Sequence, residues 1–394
     1  MIQQLIDNKQ IEIFFQPIVS IKDKRIFAFE ALTRAYDENK ALIYPMYIFE
    51  QAKKENLSNV LDRYVRELAI KKFQQFHKED KRILLFLNFE SSIIDSEESD
   101  NLVEIVKEHN INPSNIAIEI KEDSVKDNNS LVKFVSTYRQ MGFIIAIDDF
   151  GTGYSSFDRL ALIKPDIVKV DRSIIYDINN NFINSEILKA ISNMCHKIGA
   201  IVLAEGVESK NEVLSCLKKD IDIFQGFYFS KPKKSINQQT KETIFTLINN
   251  IGSEYKGIVK KHMIKKEQIL KESQSLTKDV LSILVKQKSD SIEKLKEIIF
   301  KNEKLEAIYL INLELGIQVG DTIINNEENT LFSPTKDSHD HNLKEYFFIA
   351  KESSRGDYLS GKYISKASGH MCRTYSKKIE LNGKNKIICL DVIL

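Results

Sequence analysis

The sequence predicts an α/β protein: a TIM-like (β/α)8 barrel over residues 1–250, a helical connector over 251–302, and a small α+β domain over 303–394. Three observations lead there. Up to about residue 232 one unit recurs, a short β-branched run, a loop and then an amphipathic stretch. The runs are near-continuously apolar, the pattern of strands buried on both faces, and eight of them in about 230 residues is the size of such a barrel. Beyond about Ser253 glycine and proline almost vanish and Lys, Glu and Gln take over, before β patterns return after Glu303. A doubly wound open sheet is the competing arrangement, which periodicity alone does not separate; no GxGxxG follows the first run to favour dinucleotide binding.

The eight runs are IEIFFQPIV (11–19), IFAFEALT (26–33), ILLFLNF (83–89), IAIEIKE (116–122), IIAIDDF (144–150), IVKVD (167–171), IVLAEGV (201–207) and DIFQGFYF (222–229). Helices are expected over Tyr47–Glu55, Leu57–Lys78, Leu102–His109, Ser130–Met141, Ser185–Ile198 and Lys210–Lys218. Gly142 and Gly199 follow two of these where a left-handed C-cap belongs. Pro232 stops the eighth run. From Ser253 to Asn302, Ile258, Ile269, Leu276, Val280, Leu284, Ile292, Leu295 and Ile299 recur near helical spacing. One long helix is expected, or two broken near Gln274 or Asp290. Its basic residues are interleaved with acids and read as a solvated face. LEAIYLINL, GKYISKA, HMCRTYSKKI and KIICLDVIL then predict a small antiparallel sheet.

At 42% hydrophobic and 29% charged residues with a formal net charge of +1, the chain gives no argument for a nucleic-acid polymer or an anionic membrane as partner. No run approaches the length of a membrane span, and the N-terminus lacks the pattern of a signal peptide. Cys195, Cys216, Cys372 and Cys389 are scattered and form no CxxC pair. They read as reduced thiols, so a cytoplasmic protein is expected.

Nearly every strand of the first domain carries a polar residue inside or at the end of its apolar run: Gln16, Glu30, Asn88, Glu119, Asp148 with Asp149, Lys169, Glu205 and Gln225. A single one could be a cap or an ion-pair partner. Together, in a barrel, they converge on the C-terminal mouth, where barrel enzymes place catalysis. Five carboxylates so close cannot all ionise without cations. Oxygen ligands without His or Cys select hard ions, Mg2+ or Mn2+. Adjacent Asp148 and Asp149 can serve two ions, and paired metals are the usual machinery of phosphodiester hydrolysis.

FEALTR (29–34) resembles the signature of the EAL-domain cyclic di-GMP phosphodiesterases. So do QPIV (16–19), LNF (87–89), EIKE (119–122), DDFGTGYSS (148–156), KVD (169–171), AEGVE (204–208) and QGFYFSKP (225–232), in order and with family spacing over about residues 1–235. The resemblance implies hydrolysis of cyclic di-GMP to linear 5′-phosphoguanylyl-guanosine with two divalent cations. It makes Glu30, Asn88, Glu119 and Asp148 ligands of one metal, and Asp148, Asp149 and Glu205 ligands of the other. Lys169 would position or activate the reacting water, with Asp171 in support. Gln225 would orient the site, Arg34 grip substrate phosphate, and Gln16 and Leu32 contact the nucleotide. Gly151–Ser156, including Thr152 and Gly153, would form a loop organising the second metal, anchored by Glu122 and supported by Glu208.

The sequence departs from the family's usual pattern at two places: Lys121 stands in place of Thr, and Phe89-Glu90 in place of Leu-Ser. Lys121 is expected to point away from the site, and Glu90 to add charge near the mouth. LGIQVGDTI (315–323), YFFIA (346–350), YISKASGHMCRTYS (363–376) and KIICLDV (386–392) weakly resemble a PAS- or Cache-like sensory domain. That implies an unidentified small ligand and control through the connector, and the EAL resemblance implies a homodimer. Asp337, His339, Asp340 and His341 read as a polar loop before a metal site. A non-hydrolysing cyclic di-GMP receptor is the alternative function; the presence of every metal ligand and of the loop string favours the hydrolase.

Overall fold

The computed structural model describes residues 1–89, 102–121, 127–152, 157–286, 291–324, 333–365 and 369–393, with backbone only over 283–286 and 291–294. It divides into two compact units, Met1–Gly257 and Ile258–Leu394.

Among the described residues the first unit has nine strands: β1 (Ile11–Ser20), β2 (Arg25–Tyr36), β3 (Leu42–Ile43), β4 (Leu84–Asn88), β5 (Ile116–Lys121), β6 (Ile144–Phe150), β7 (Ile167–Val170), β8 (Ile201–Ala204) and β9 (Ile223–Gln225). Eight of them run β1-β9-β8-β7-β6-β5-β4-β2, and β1 pairs again with β2, so the sheet closes and the open doubly wound arrangement is excluded. β2 and β4 to β9 are parallel; β1 is antiparallel to both neighbours. The uniform strand–helix repeat thus fails at its first step. Only residues 21–24 separate β1 from β2, which makes a hairpin, whereas a parallel return needs a crossover of a dozen residues or more. β3 is a short margin on β2.

One residue from each strand fills an inner layer: Ile18, Ala28, Phe86, Ala117, Ala146, Ile167, Leu203 and Ile223, with Leu84 beside them. The outer helices include Pro45–Lys54, Ser58–Glu79, Asn128–Gln140, Phe182–Lys197 and Lys210–Leu217. The last begins with a capping box between Ser209 and Glu212. Gly142 and Gly199 have φ of +91° and +85°, as helix C-caps require.

A helix over Gln238–Lys286 begins well before Ser253, because Ile244, Ile248 and Ile251 recur at helical spacing and are fully buried in the first unit. A second helix follows at Ser291–Lys301. In the second unit a sheet of six strands, β10 (Leu305–Asn312), β11 (Ile323–Ile324), β12 (Asp357–Leu359), β13 (Tyr363–Ile364), β14 (Met371–Leu381) and β15 (Lys384–Ile393), has the order β11-β10-β15-β14-β12, with β13 also on β14. Every pairing in it is antiparallel. Val280, Leu295 and Ile299 pack on Leu305, Ile308, Tyr375, Ile388 and Leu390. All four cysteines are buried and free. No helix of the described residues is long and apolar enough to cross a membrane.

Candidate active site at the barrel mouth

Side chains on a strand repeat every two residues, so the residue two beyond each member of the inner layer faces the same axis one layer higher. Counting two from Ala28, Phe86, Ala117, Ala146, Ile167, Leu203 and Ile223 gives Glu30, Asn88, Glu119, Asp148, Lys169, Glu205 and Gln225. β1 runs the other way, so its member lies two before Ile18, at Gln16, and pairs directly with Glu30. An apolar plug is therefore topped by a ring of eight polar side chains.

Lys169 occupies its centre and is 1% exposed. Its Nζ lies 2.5 Å from Glu119 Oε1, 2.6 Å from Asp148 Oδ1, 2.7 Å from Glu205 Oε1 and 3.9 Å from Glu30 Oε1. Asn88 Nδ2 donates to Glu30 at 3.2 Å and to Glu119 at 2.8 Å. Gln225 Nε2 donates to Glu30 and, at 3.3 Å, to Gln16 Oε1, while Gln16 Nε2 donates to the Ser230 carbonyl at 3.2 Å. Burial works against charge on Lys169, but Asp148, Glu119, Glu205 and Glu30 overcome it and hold the ammonium well above the usual lysine range. Burial pushes Glu119 well up and Glu205 up to about 8, partly offset by Lys169; it also raises Asp149, with Asp148 adding to the rise.

Adjacent strand residues normally point to opposite faces. Asp149 takes a left-handed φ of +58°, and the β6–β7 register shifts between Ile147 and Phe150. This bulge turns Asp149 back towards Asp148. Oxygens of Asp148, Asp149 and Glu205 come within 4.8 Å of one another, the one such group among the described residues.

Two cavities meet over the ring and share Glu30 and Glu205. The larger, about 720 Å3, is lined by Leu32, Arg34, Asn88, Asp148, Asp149 and Lys169 among others. The smaller, about 240 Å3, is lined by Gln16, Asp171, Glu208 and Gln225 among others. Arg34, half-buried over the Phe14 ring, donates to the Thr33 carbonyl at 2.7 Å. Asp171 caps the helix Arg172–Ile175 by accepting from the Ser173 amide at 2.8 Å. Glu208 pairs with Arg172 at 2.5 Å, and Arg172 also donates to the Gly206 carbonyl at 2.8 Å. Thr152 Oγ1 donates to the Asp149 carbonyl at 3.1 Å, and Gly151, with φ +105°, leaves a space that a Cβ would close against Ile174. Glu90, Glu122 and Gly153 lie outside the described residues.

The expectation for Lys121 is overturned. It is two residues beyond Glu119, pairs in register with Asp148, and lines the larger cavity. The eighth strand also ends earlier than expected, at Gln225. Gly226 packs on the Val207 backbone, and the chain turns away there. Sequence reasoning missed the wall contributed by the helices Pro45–Lys54 and Ser58–Glu79. It includes Met46 and the buried pair Asp62–Arg66 at 2.5 Å, with Arg66 4.2 Å above the Phe89 ring. An i,i+4 ion pair in an amphipathic helix ordinarily signals a solvated face, so nothing in the pattern marked it.

The model of the EAL domain matches residues 1–232. The chain belongs to the EAL-domain family. Among its relatives, the cyclic di-GMP phosphodiesterase NbdA of Pseudomonas aeruginosa is 29% identical over 59% of this chain and 30% of its own length. The EAL-domain-containing protein YkuI of Bacillus subtilis is 22% identical over 92% of this chain and 90% of its own. The match spans only 30% to 44% of NbdA and of the Escherichia coli proteins PdeR and PdeB. The crystal structure of YkuI with cyclic di-GMP and calcium superposes over 100% of this chain and 99% of that one, with a TM-score of 0.79 at 20% identity, which establishes a shared fold across both units. An EAL-domain protein from Listeria monocytogenes covers 59% of this chain and 92% of its own at 30% identity and a TM-score of 0.53.

Proposed function

We propose that this EAL-domain protein hydrolyses cyclic di-GMP to linear 5′-phosphoguanylyl-guanosine with two divalent cations, Mg2+ or Mn2+. The acids around Lys169 carry the reading: the four carboxylates of the ring, Asp149 turned in beside them and the Asn88 amide, with no soft ligand, three of the acids held above their ordinary range by burial and crowding. Such a set fits hard cations. Glu30, Asn88, Glu119 and Asp148 would hold one ion, and Asp148, Asp149 and Glu205 the other. The ions would supply Lewis acidity and lower the pKa of water at the reacting phosphate. The names of relatives such as NbdA, and the nucleotide and calcium or manganese in YkuI and in Klebsiella pneumoniae BlrP1, support the substrate and the cation class.

The chain's own groups divide the remaining work. Lys169 keeps a fixed positive charge among Glu119, Asp148 and Glu205, aligns them, and sits where charge develops on the reacting oxygens. The Arg34 guanidinium, on the wall of the larger cavity, suits a phosphate with its planar fork. Gln16, Leu32 and Gln225 border the nucleotide, Asp171 acts through the helix it caps, and Gly151, Thr152 and Glu208 brace the loops that carry Asp149 and Glu205. We further read the second unit as a PAS- or Cache-like sensory module and the protein as a cytoplasmic homodimer. The motif resemblance supports these readings.

Lys121 favours one alternative. Its ammonium at the cavity wall opposes Asp149 and would compete with a cation there, as suits a receptor that binds the nucleotide without cutting it. Purified chain with cyclic di-GMP and either ion separates the two, the products being resolved by chromatography. The linear dinucleotide is expected; tight binding with intact nucleotide recovered would establish the receptor.

A further inference from the structure

The second unit holds a cavity of about 410 Å3, the space of roughly a dozen waters. It is lined by Tyr309, Tyr346, Tyr363, Ser360, Ser365 and Asp391, among others. Asp391 sits on β15 and is 4% exposed. Its carboxylate is met by hydroxyls alone: Thr374 at 2.8 Å, Tyr363 at 3.1 Å and Ser365 at 3.4 Å. No cation of the described residues comes within ion-pair distance of it. Arg373, which precedes the register partner Thr374 on β14, is turned to the Ser360 carbonyl at 2.8 Å. His341 has Nε2 against Gln318 at 2.9 Å and Nδ1 against Tyr346 at 2.9 Å, so both of its ring nitrogens are engaged in hydrogen bonds. Burial without a counter-charge pushes the Asp391 carboxyl up to about 6.

Lys344, Glu345 and Lys362 also line the cavity, but neither lysine forms an ion pair with Asp391. A buried carboxylate surrounded by hydroxyls and tyrosine rings, with no cation of the described residues at ion-pair distance, has the composition of a subsite for an organic cation. The carboxylate supplies the charge-assisted hydrogen bond and the rings supply cation–π attraction. We propose that this cavity binds a small organic ammonium, its charged head on Asp391 and its body among Tyr309, Tyr346 and Tyr363. The competing account is a neutral, protonated Asp391 that only ties β15 to β14, and it makes no distinction between an amine and its uncharged isostere.

Calorimetric titration of the full chain with phenethylammonium, butylammonium and choline, each against its uncharged isostere, tests this without using the barrel. At least one ammonium is expected to saturate below about 1 mM and to bind about tenfold or more tighter than its isostere. Asp391→Asn should abolish that preference, and Tyr363→Phe, which keeps the charge, should retain it. Equal binding of amine and isostere, an unchanged preference in D391N, or no saturation by any of the three ammoniums would overturn the proposal. The wild-type comparison decides the matter even where D391N fails to fold.

Discussion

At the scale of single residues, Lys169 sets the character of the mouth. Among the described residues its ammonium is the only positive charge in contact with Glu119, Asp148 and Glu205 together. Lys169→Ala should lower kcat by about 10^2- to 10^4-fold and leave nucleotide affinity within a few-fold, as expected for a group acting in the transition state. Steady-state kinetics beside equilibrium binding checks this; a weakened affinity with kcat unchanged would make Lys169 a substrate clamp instead. The same variant leaves the buried Glu119 without its counter-charge. Metal-free protein should lose about 3–5 kcal/mol by chemical denaturation, and Mg2+ or Mn2+ should restore much of it. Glu205 makes a second, pH-dependent case. Burial raises its folded pKa to about 8 from an unfolded value near 4.5, so in that window the folded state binds the extra proton. Its contribution is complete below pH 4.5 and is lost as pH rises towards 8. Without metal, Glu205→Gln should therefore gain on the wild type progressively from pH 4.5 to 8 in melting temperature. A pH-independent difference would show that Glu205 is not proton-linked to folding.

At the scale of elements, the ring is held by close approach between loops. Val207 N donates to the Gln225 carbonyl at 3.1 Å, and a Cβ on Gly226 would lie 2.0 Å from the Val207 carbonyl oxygen. Backbone cannot swing aside as a side-chain tip can. Gly226→Ala should cost about 1–3 kcal/mol and displace Gln225 from Glu30; a variant with wild-type stability and turnover would show that these loops have slack. What was legible in the chain follows from the same geometry. A charged residue at the end of an apolar strand is conspicuous, and the period of two carries Glu30, Glu119, Asp148, Lys169 and Glu205 to one side. Lys121 was legible by that rule as well, since it stands two beyond Glu119. Other features were hidden for physical reasons. The turn at Asp149 depends on a bulge that no periodicity encodes. The wall at Asp62 and Arg66 comes from helices that pattern places only as outer layers. β11 and β12 are two and three residues long, too short to show alternation at all.

At the scale of the whole molecule, the boundary at Gly257 places the start of the Gln238–Lys286 helix in the first unit. Tyr255 donates to the Leu217 carbonyl at 3.1 Å, and Ile244, Ile248 and Ile251 are buried. A chain ending after Gly257 should fold and keep metal-dependent turnover. One ending after Pro232 loses three buried isoleucines, on the order of 5 kcal/mol, and should melt markedly lower. If the 1–257 chain and the full chain share rate, metal dependence and oligomeric state, control of the barrel by the second unit is disproved. The two units also differ in how their sheets end. The barrel, closed by β1 on β2, presents no free edge around its eight strands. The second sheet is open; its long strands β14 and β15 pair with each other over ten positions, and the strands at its described margins are the short β11, β12 and β13. A chain that carries two such strands side by side is exposed to fibrous self-association wherever a neighbouring molecule can add to the ladder. Among the described residues the strands at these margins are two or three residues long, and a margin so short limits what a neighbouring molecule can add to the ladder.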